Sequence, residues 1–198
     1  LKYFDKTTSF DRVDCEKYNL NYLPLFASGA YQNTKQNDFA VDVYTIGSIV
    51  RTERYSLVND FRKFCIENGV SFNFHLKVTP ITYFRLLLKG IIPKGVSFKT
   101  LEKDAFKKIV DNSRVALDVT NHAQSGLTMR MIENIYAGRK IVTTNVNIKR
   151  EEFYDEEQVY IWNKSNCDGL LEFLKIDMTP KSFEQLSINN WVKEILEL

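Results

Sequence analysis

From Phe39 onward, short apolar runs alternate with stretches in which apolar residues recur at helical spacing. Phe39 to Ile46 reads as a buried strand that ends at Gly47-Ser48. Leu57, Phe61, Phe64 and Cys65 then fall at i, i+4, i+7 and i+8, one face of a helix, and Asn68-Gly69 stops it. Val70 to Val78 gives a second strand, with Phe72, Phe74 and Leu76 alternating against polar neighbours. Residues 81–94 fit either a short helix or a loop, Val96-Ser97-Phe98 a short strand, and Lys103 to Asn112 a helix. The series continues with a strand at Val115 to Val119, a helix at Gly126 to Ala137, and strands at Lys140 to Thr144 and Gln158 to Trp162. A final helix at Ser182 to Leu198 is apolar at Leu186, Trp191, Ile195 and Leu196, with Trp191 expected to anchor it in the core.

Such alternation predicts an α/β fold, a Rossmann-like parallel sheet with helices on both faces, spanning residues 31–198. Ligands of such sheets bind outside the carboxyl ends of the strands. The loops after Ile46, Val78, Val119 and Thr144 are therefore the places to search. Residues 1–30 are aromatic-rich, with a short helix expected at Asp11 to Tyr18. They read as a remnant of a preceding domain or as an interdomain connection, followed by a polar loop at 32–38. The start at Leu1, without Met and already strand-like, suggests a piece of a longer protein with a preceding N-terminal domain.

Composition narrows the partners. Hydrophobic residues at 44% and charged residues at 26% give the balance of an ordinary globular domain. The net charge is +2, and Lys and Arg are interleaved with Asp and Glu, so no nucleic-acid partner is expected. The longest apolar run, Phe84 to Ile92, is broken by Arg85 and Lys89 and falls well short of the roughly 20 residues a membrane-spanning helix needs. Three widely spaced cysteines, Cys15, Cys65 and Cys167, suit reduced thiols in a cytoplasm. No zinc spacing, phosphate-loop lysine motif, Ser-His-Asp set or D-x-D signature occurs, and no metal or cofactor is expected.

Chemistry concentrates between Thr120 and Glu133. Ser125 is placed to cap the helix that follows, and Gly126 lets a ligand approach the backbone. Free amides and the positive helix end make an anion site. On a helix from Gly126, Arg130 and Glu133 fall at i+4 and i+7 on the same face, while Leu127, Met131 and Ile135 pack on the sheet. Glu133 then lies roughly 10 Å along the axis, where a carboxylate reaches the ribose of a nucleotide whose diphosphate sits at the helix start. A surface helix with an ion pair three residues apart explains the same spacing. His122 is a candidate sugar or phosphate contact, or simply a solvated loop histidine. Asp118 fits a strand-end residue tying down the next loop, while Asn145 and Asn147 fit either turn formation or the border of an acceptor cleft.

The segment Gln124-Ser125-Gly126-Leu127-Thr128-Met129-Arg130-Met131-Ile132-Glu133, followed by Ala137-Gly138-Arg139-Lys140-Ile141-Val142-Thr143-Thr144-Asn145, resembles the donor site of GT-B glycosyltransferases. It is similar to the lipopolysaccharide and capsular-polysaccharide biosynthesis glycosyltransferases and to the spore-coat-type group. Weaker similarity extends through Ser9-Phe10-Asp11, Leu23-Pro24-Leu25-Phe26, Ile46-Gly47-Ser48 and Glu152-Phe153-Tyr154. The resemblance implies the C-terminal, nucleotide-sugar-binding half of such an enzyme. Its activity would be transfer of a sugar from a nucleotide sugar to a cell-surface polysaccharide or lipid-linked acceptor. Glu133 would hold the ribose, and Gln124, Ser125, Gly126, Leu127, Thr128 and Arg130 would face the donor. Gly47 and Ser48 would form a phosphate-facing turn, with Arg51 or Arg54 offsetting charge. Many retaining members carry a second Glu eight residues before the ribose Glu; here that position is Ser125, so no catalytic residue is assigned. The expected location is cytoplasmic, at most peripheral to the inner membrane face. A nucleotide-sugar epimerase and a non-catalytic binding or assembly module on the same scaffold are the alternatives.

Overall fold

The computed structural model describes residues 6–28, 38–120, 125–164, 167–179, 181 and 183–196. The chain opens with β1 (Thr8–Ser9), α1 (Arg12–Tyr18) and β2 (Asn21–Tyr22), in which the two strands pair in parallel. Asp11 starts α1 because its carboxylate accepts the Val13 amide, and Asn19 ends it in the left-handed region at φ 52°. The larger layer begins with β3 (Val41–Ile49), α2 (Thr52–Glu67), β4 (Phe72–Val78), α3 (Pro80–Leu88) and β5 (Val96–Ser97). It continues through α4 (Lys103–Asp111), β6 (Ser113–Asp118), α5 (Met129–Tyr136), β7 (Lys140–Thr143) and β8 (Val159–Ile161). Helices α6 (Leu170–Lys175) and α7 (Ile188–Leu196) complete the described chain.

All pairings in the six-stranded sheet are parallel, in the order β5-β4-β3-β6-β7-β8. Parallel strands covered on both faces need near-continuous apolar sequence. Residues 115–117 and 141–142 supply it, with every side chain there fully buried. On one face Tyr55, Val58, Phe61 and Cys65 of α2 pack with Leu86 of α3 and Leu170 and Leu174 of α6. On the other, Val110 of α4 joins Met131, Ile132 and Ile135 of α5, with Ile148 and Phe153. The α/β expectation of a Rossmann-like parallel sheet holds.

Several local expectations are corrected. Strand β3 runs through Gly47 and Ser48 to Ile49, because both residues keep their ladder to Leu76 and Lys77 of β4. The ambiguous stretch at 81–94 contributes a helix, started by Pro80 in its first turn and by the Thr79 hydroxyl, which accepts the Thr82 amide at 3.1 Å. Helix α5 begins at Met129 rather than Gly126, with Thr128 as its cap. Trp191 stays half-buried instead of entering the core; α7 has no buried residue, and the indole packs on Phe26 at 4.9 Å between ring centroids.

Residues 6–28 lie against the sheet domain at several points. Arg12 and Tyr22 both reach the buried Glu151, the guanidinium in two-pronged fashion at 2.8 and 3.0 Å and the phenol at 2.8 Å. The Ala27 amide donates to Leu186 O at 2.7 Å.

Candidate functional site

The chain runs outward from β3 to β5 in one direction and from β6 to β8 in the other, so the sheet reverses between β3 and β6. The crevice beyond the carboxyl ends of such a strand pair is where doubly wound sheets bind ligands. Gly47 of β3 and Asp118 of β6 stand there. A Cβ on Gly47 would lie 3.1 Å from an Arg54 nitrogen and 3.2 Å from an Arg130 nitrogen. The missing side chain is what lets two guanidinium groups converge over the end of β3.

Each arginine is positioned by its own element. Arg54 sits in the first turn of α2 and donates to Ser48 O at 3.0 Å. Arg130 sits in the first turn of α5, whose orientation is fixed by Asn134: its side-chain amide donates to Arg130 O and its carbonyl accepts the buried Tyr44 hydroxyl, both at 2.8 Å. The carboxylate facing them is Asp118, fully buried, with Oδ1 3.5 Å from Arg130 and accepting the Thr128 hydroxyl at 3.1 Å. Thr128 thus caps α5 through the Met131 amide and also ties it to β6. Burial, and next the charge of Arg130, push the Arg54 guanidinium below its ordinary pKa, with Asp118 opposing both.

Two buried polar atoms of this cluster, Asp118 Oδ2 and Arg54 Nε, have no partner among the described residues, nor has Thr120 Oγ1, two residues beyond Asp118 in the chain. Buried polar groups are normally satisfied, and such a set marks a place completed by a ligand or solvent. Arg130 is answered by Asp118 and, along its helix, by Glu133, whereas Arg54 has no ion-pair partner among the described residues and faces Arg130 in a partly desolvated crevice. Its chemistry suits an anion with several acceptor oxygens.

The loop before α5 is arranged differently from its expected form. Ser125 does not cap the helix; its hydroxyl donates to Asp11 Oδ2 at 2.6 Å, and the Gly126 amide donates to the same oxygen at 2.7 Å. The Gly126 backbone is approached closely, but by the N-terminal segment: a Cβ there would lie 2.9 Å from the Phe10 ring. Gly126 precedes α5 and so does not share a helical face with Arg130 and Glu133. Burial works against the Asp11 charge, yet hydrogen bonds from Ser125, Val13 and Gly126 outweigh it and hold the carboxyl below its ordinary range. Asn145 and Asn147 grip the loop from the other side, donating to Ser125 O at 3.2 and 2.9 Å.

Glu133 is half-buried and accepts the Ser28 hydroxyl. Burial raises its carboxyl above the ordinary value, against the Ser28 bond and the charge of Arg130. Leu127 is buried in the core beneath the loop. Arg51 is exposed and lies at the start of α2 with no side-chain capping bond, while Arg54, one turn on, faces the crevice. His122 and Gln124 lie outside the described residues. Sequence reasoning passed over Asp11 and Ser28 as contacts of this region; the weak similarity at Ser9-Phe10-Asp11 was the available signal. Among the described residues, no three or more His, Cys, Asp or Glu gather as metal ligands.

No family model and no curated protein matches the chain. Among solved structures, it superposes on TarM, a glycosyltransferase, with a TM-score of 0.61 at 15% identity. The match covers 94% of this chain and 41% of that one. The likeness shows the fold: the chain has a glycosyltransferase-like Rossmann fold, and it spans about two-fifths of the chain it matches.

Proposed function

We propose that the chain is the nucleotide-sugar-binding half of a GT-B glycosyltransferase acting on a cell-surface polysaccharide or lipid-linked acceptor. The observation that carries this reading is Arg54, a cation with no ion-pair partner among the described residues, converging with Arg130 over Gly47 at the reversal of the sheet. A donor diphosphate supplies the missing negative charge there and gives Arg54 Nε and Thr120 Oγ1 their acceptors. As the sugar leaves, charge grows on the diphosphate, and fixed guanidinium groups in a partly dry crevice stabilise it without reorganising. Glu133, one helical turn beyond Arg130, takes the two ribose hydroxyls in place of the Ser28 hydroxyl. Ser125 takes the sequence position that carries a sugar-side Glu in many retaining enzymes, and it brings no negative charge. The acceptor site belongs to the preceding domain, so the chain alone binds donor and transfers little.

Isothermal titration with UDP, GDP, CMP and ADP tests the reading. One diphosphate nucleotide is expected to bind; no heat from any of them rejects it. A second reading, a non-catalytic nucleotide-binding module, is favoured by Asp11, whose carboxylate already occupies the Ser125 hydroxyl and Gly126 amide. Slow hydrolysis of a bound nucleotide sugar separates the two, because the module reading predicts binding with no release of nucleoside diphosphate.

A further inference from the structure

The apolar run Phe84 to Ile92, too short to cross a bilayer, is not hidden in the core either. Thr82 and Leu86 of α3 are buried, as a helix lying on a sheet requires. On the opposite side Ile81, Phe84 and Leu88, spaced i, i+3 and i+7, are 66, 61 and 72% exposed. Ile92, four residues past the end of the helix, is 72% exposed, and Val50, just past β3 and lining the same cavity as Leu88, is 67% exposed. A surface helix normally turns its polar face to water, and clustered exposed apolar side chains mark an interaction surface.

The charge around this ridge is one-sided. The chain has 25 acidic residues, yet none lies between Glu67 and Glu102, an interval that holds Lys77, Arg85, Lys89, Lys94 and Lys99. Arg51, Arg85 and Lys89 line a cavity of about 360 Å³ together with Val50 and Leu88. Glu53, on the same cavity, is held by Lys89 at 3.2 Å, while Arg51 and Arg85 have no carboxylate partner among the described residues.

We propose that this face docks on an anionic lipid surface. Apolar side chains on a convex helix enter the headgroup boundary, and flanking Lys and Arg stretch their stems to reach lipid phosphates. The inference rests on this surface alone and stands apart from the donor reading. It has a consequence for that reading, because Val50 follows Gly47 closely, just past the end of β3. Docking sets the arginine crevice beside the membrane, where a lipid-linked acceptor is found.

Co-sedimentation of the chain with vesicles of phosphatidylglycerol and phosphatidylcholine, against phosphatidylcholine alone, tests the proposal. Binding is expected to the anionic vesicles and to weaken between about 0.1 and 0.5 M salt as the charges are screened. The double variant Phe84→Glu/Leu88→Glu is expected to lower partitioning by about tenfold or more, since both side chains move from lipid to water. A separate variant, Phe84→Trp, keeps an apolar surface and is expected to shift its fluorescence to shorter wavelength on anionic vesicles only. The proposal is overturned by no partitioning into anionic vesicles, by equal partitioning of the double variant, or by unshifted emission from the Phe84→Trp variant. Light scattering that shows a dimer dissolved by the double variant also overturns it and assigns the face to a second copy of the chain.

Discussion

Replacing Asp11 by Ala removes a carboxylate that holds three groups at once. It accepts the Val13 amide at 2.9 Å as the cap of α1, the Ser125 hydroxyl at 2.6 Å and the Gly126 amide at 2.7 Å. A lost helix cap costs about 1 kcal/mol. Each hydrogen bond to a charged group contributes about 1.5 kcal/mol at the low end of its range, and the Gly126 amide is left in buried surroundings. These contributions share one side chain and overlap, so the expected loss is about 3 kcal/mol rather than their sum of about 4. With a urea slope of about 2 kcal/mol/M, the unfolding midpoint falls by about 1.5 M. Trp162, in the sheet core, and Trp191, against Phe26, report the transition by fluorescence. Asp11→Asn keeps a good cap and one neutral acceptor, and loses about half as much. The Asp11 carboxyl is held below its ordinary value of 3.8, so its charge stabilises the fold above that value and ceases to as the pH falls through the lowered folded value. The gap between wild type and Asp11→Asn is therefore full at neutral pH and closes in acid. A loss below about 1 kcal/mol for Asp11→Ala at pH 7, or a gap to Asp11→Asn that persists unchanged in acid, refutes the reasoning.

Arg54→Ala is expected to leave stability unchanged or improved, since it removes a desolvated cation beside Arg130, while diphosphate affinity by calorimetry falls about 10- to 100-fold. Glu133→Gln is expected to raise the melting temperature at pH 7 and weaken nucleotide binding. Its carboxyl is raised on folding, so ionisation penalises the folded state above the folded value and not below the ordinary 4.5, where the gain in melting temperature disappears. Gly126→Ala places a Cβ 2.9 Å from the Phe10 ring and is expected to cost about 1–3 kcal/mol by denaturant titration. Adding Phe10→Ala recovers part of that loss; an equal loss in the double variant would place the strain elsewhere.

The layered α/β architecture was legible from sequence because its cause is local. The strand segments 115–117 and 141–142 are buried on both faces and are apolar throughout, while α2 must repeat its apolar residues at helical spacing to cover them. The nearness of Gly47 and the 125–133 segment to the binding edge followed from the same alternation. Details of the site were another matter. Ser125 and Thr128 are both good helix caps, and local preference does not choose between them. The choice falls to Thr128 because Asp11, 114 residues earlier than Ser125, takes the Ser125 hydroxyl. Arg51 and Arg54 are similarly equivalent as letters, but β3 persists to Ile49 and the first turn of α2 carries Arg54 toward the gap over Gly47. Trp191 reads as a core residue until its partner, Phe26, is known to lie on the surface segment. Periodicity and burial, which depend on neighbours a few residues away, determined the layers. The charge balance at the crevice and the latch on the loop depend on groups more than 60 residues apart in the chain, Arg54 from Asp118 and Asp11 from Gly126, and only the packed structure decides which of them meet.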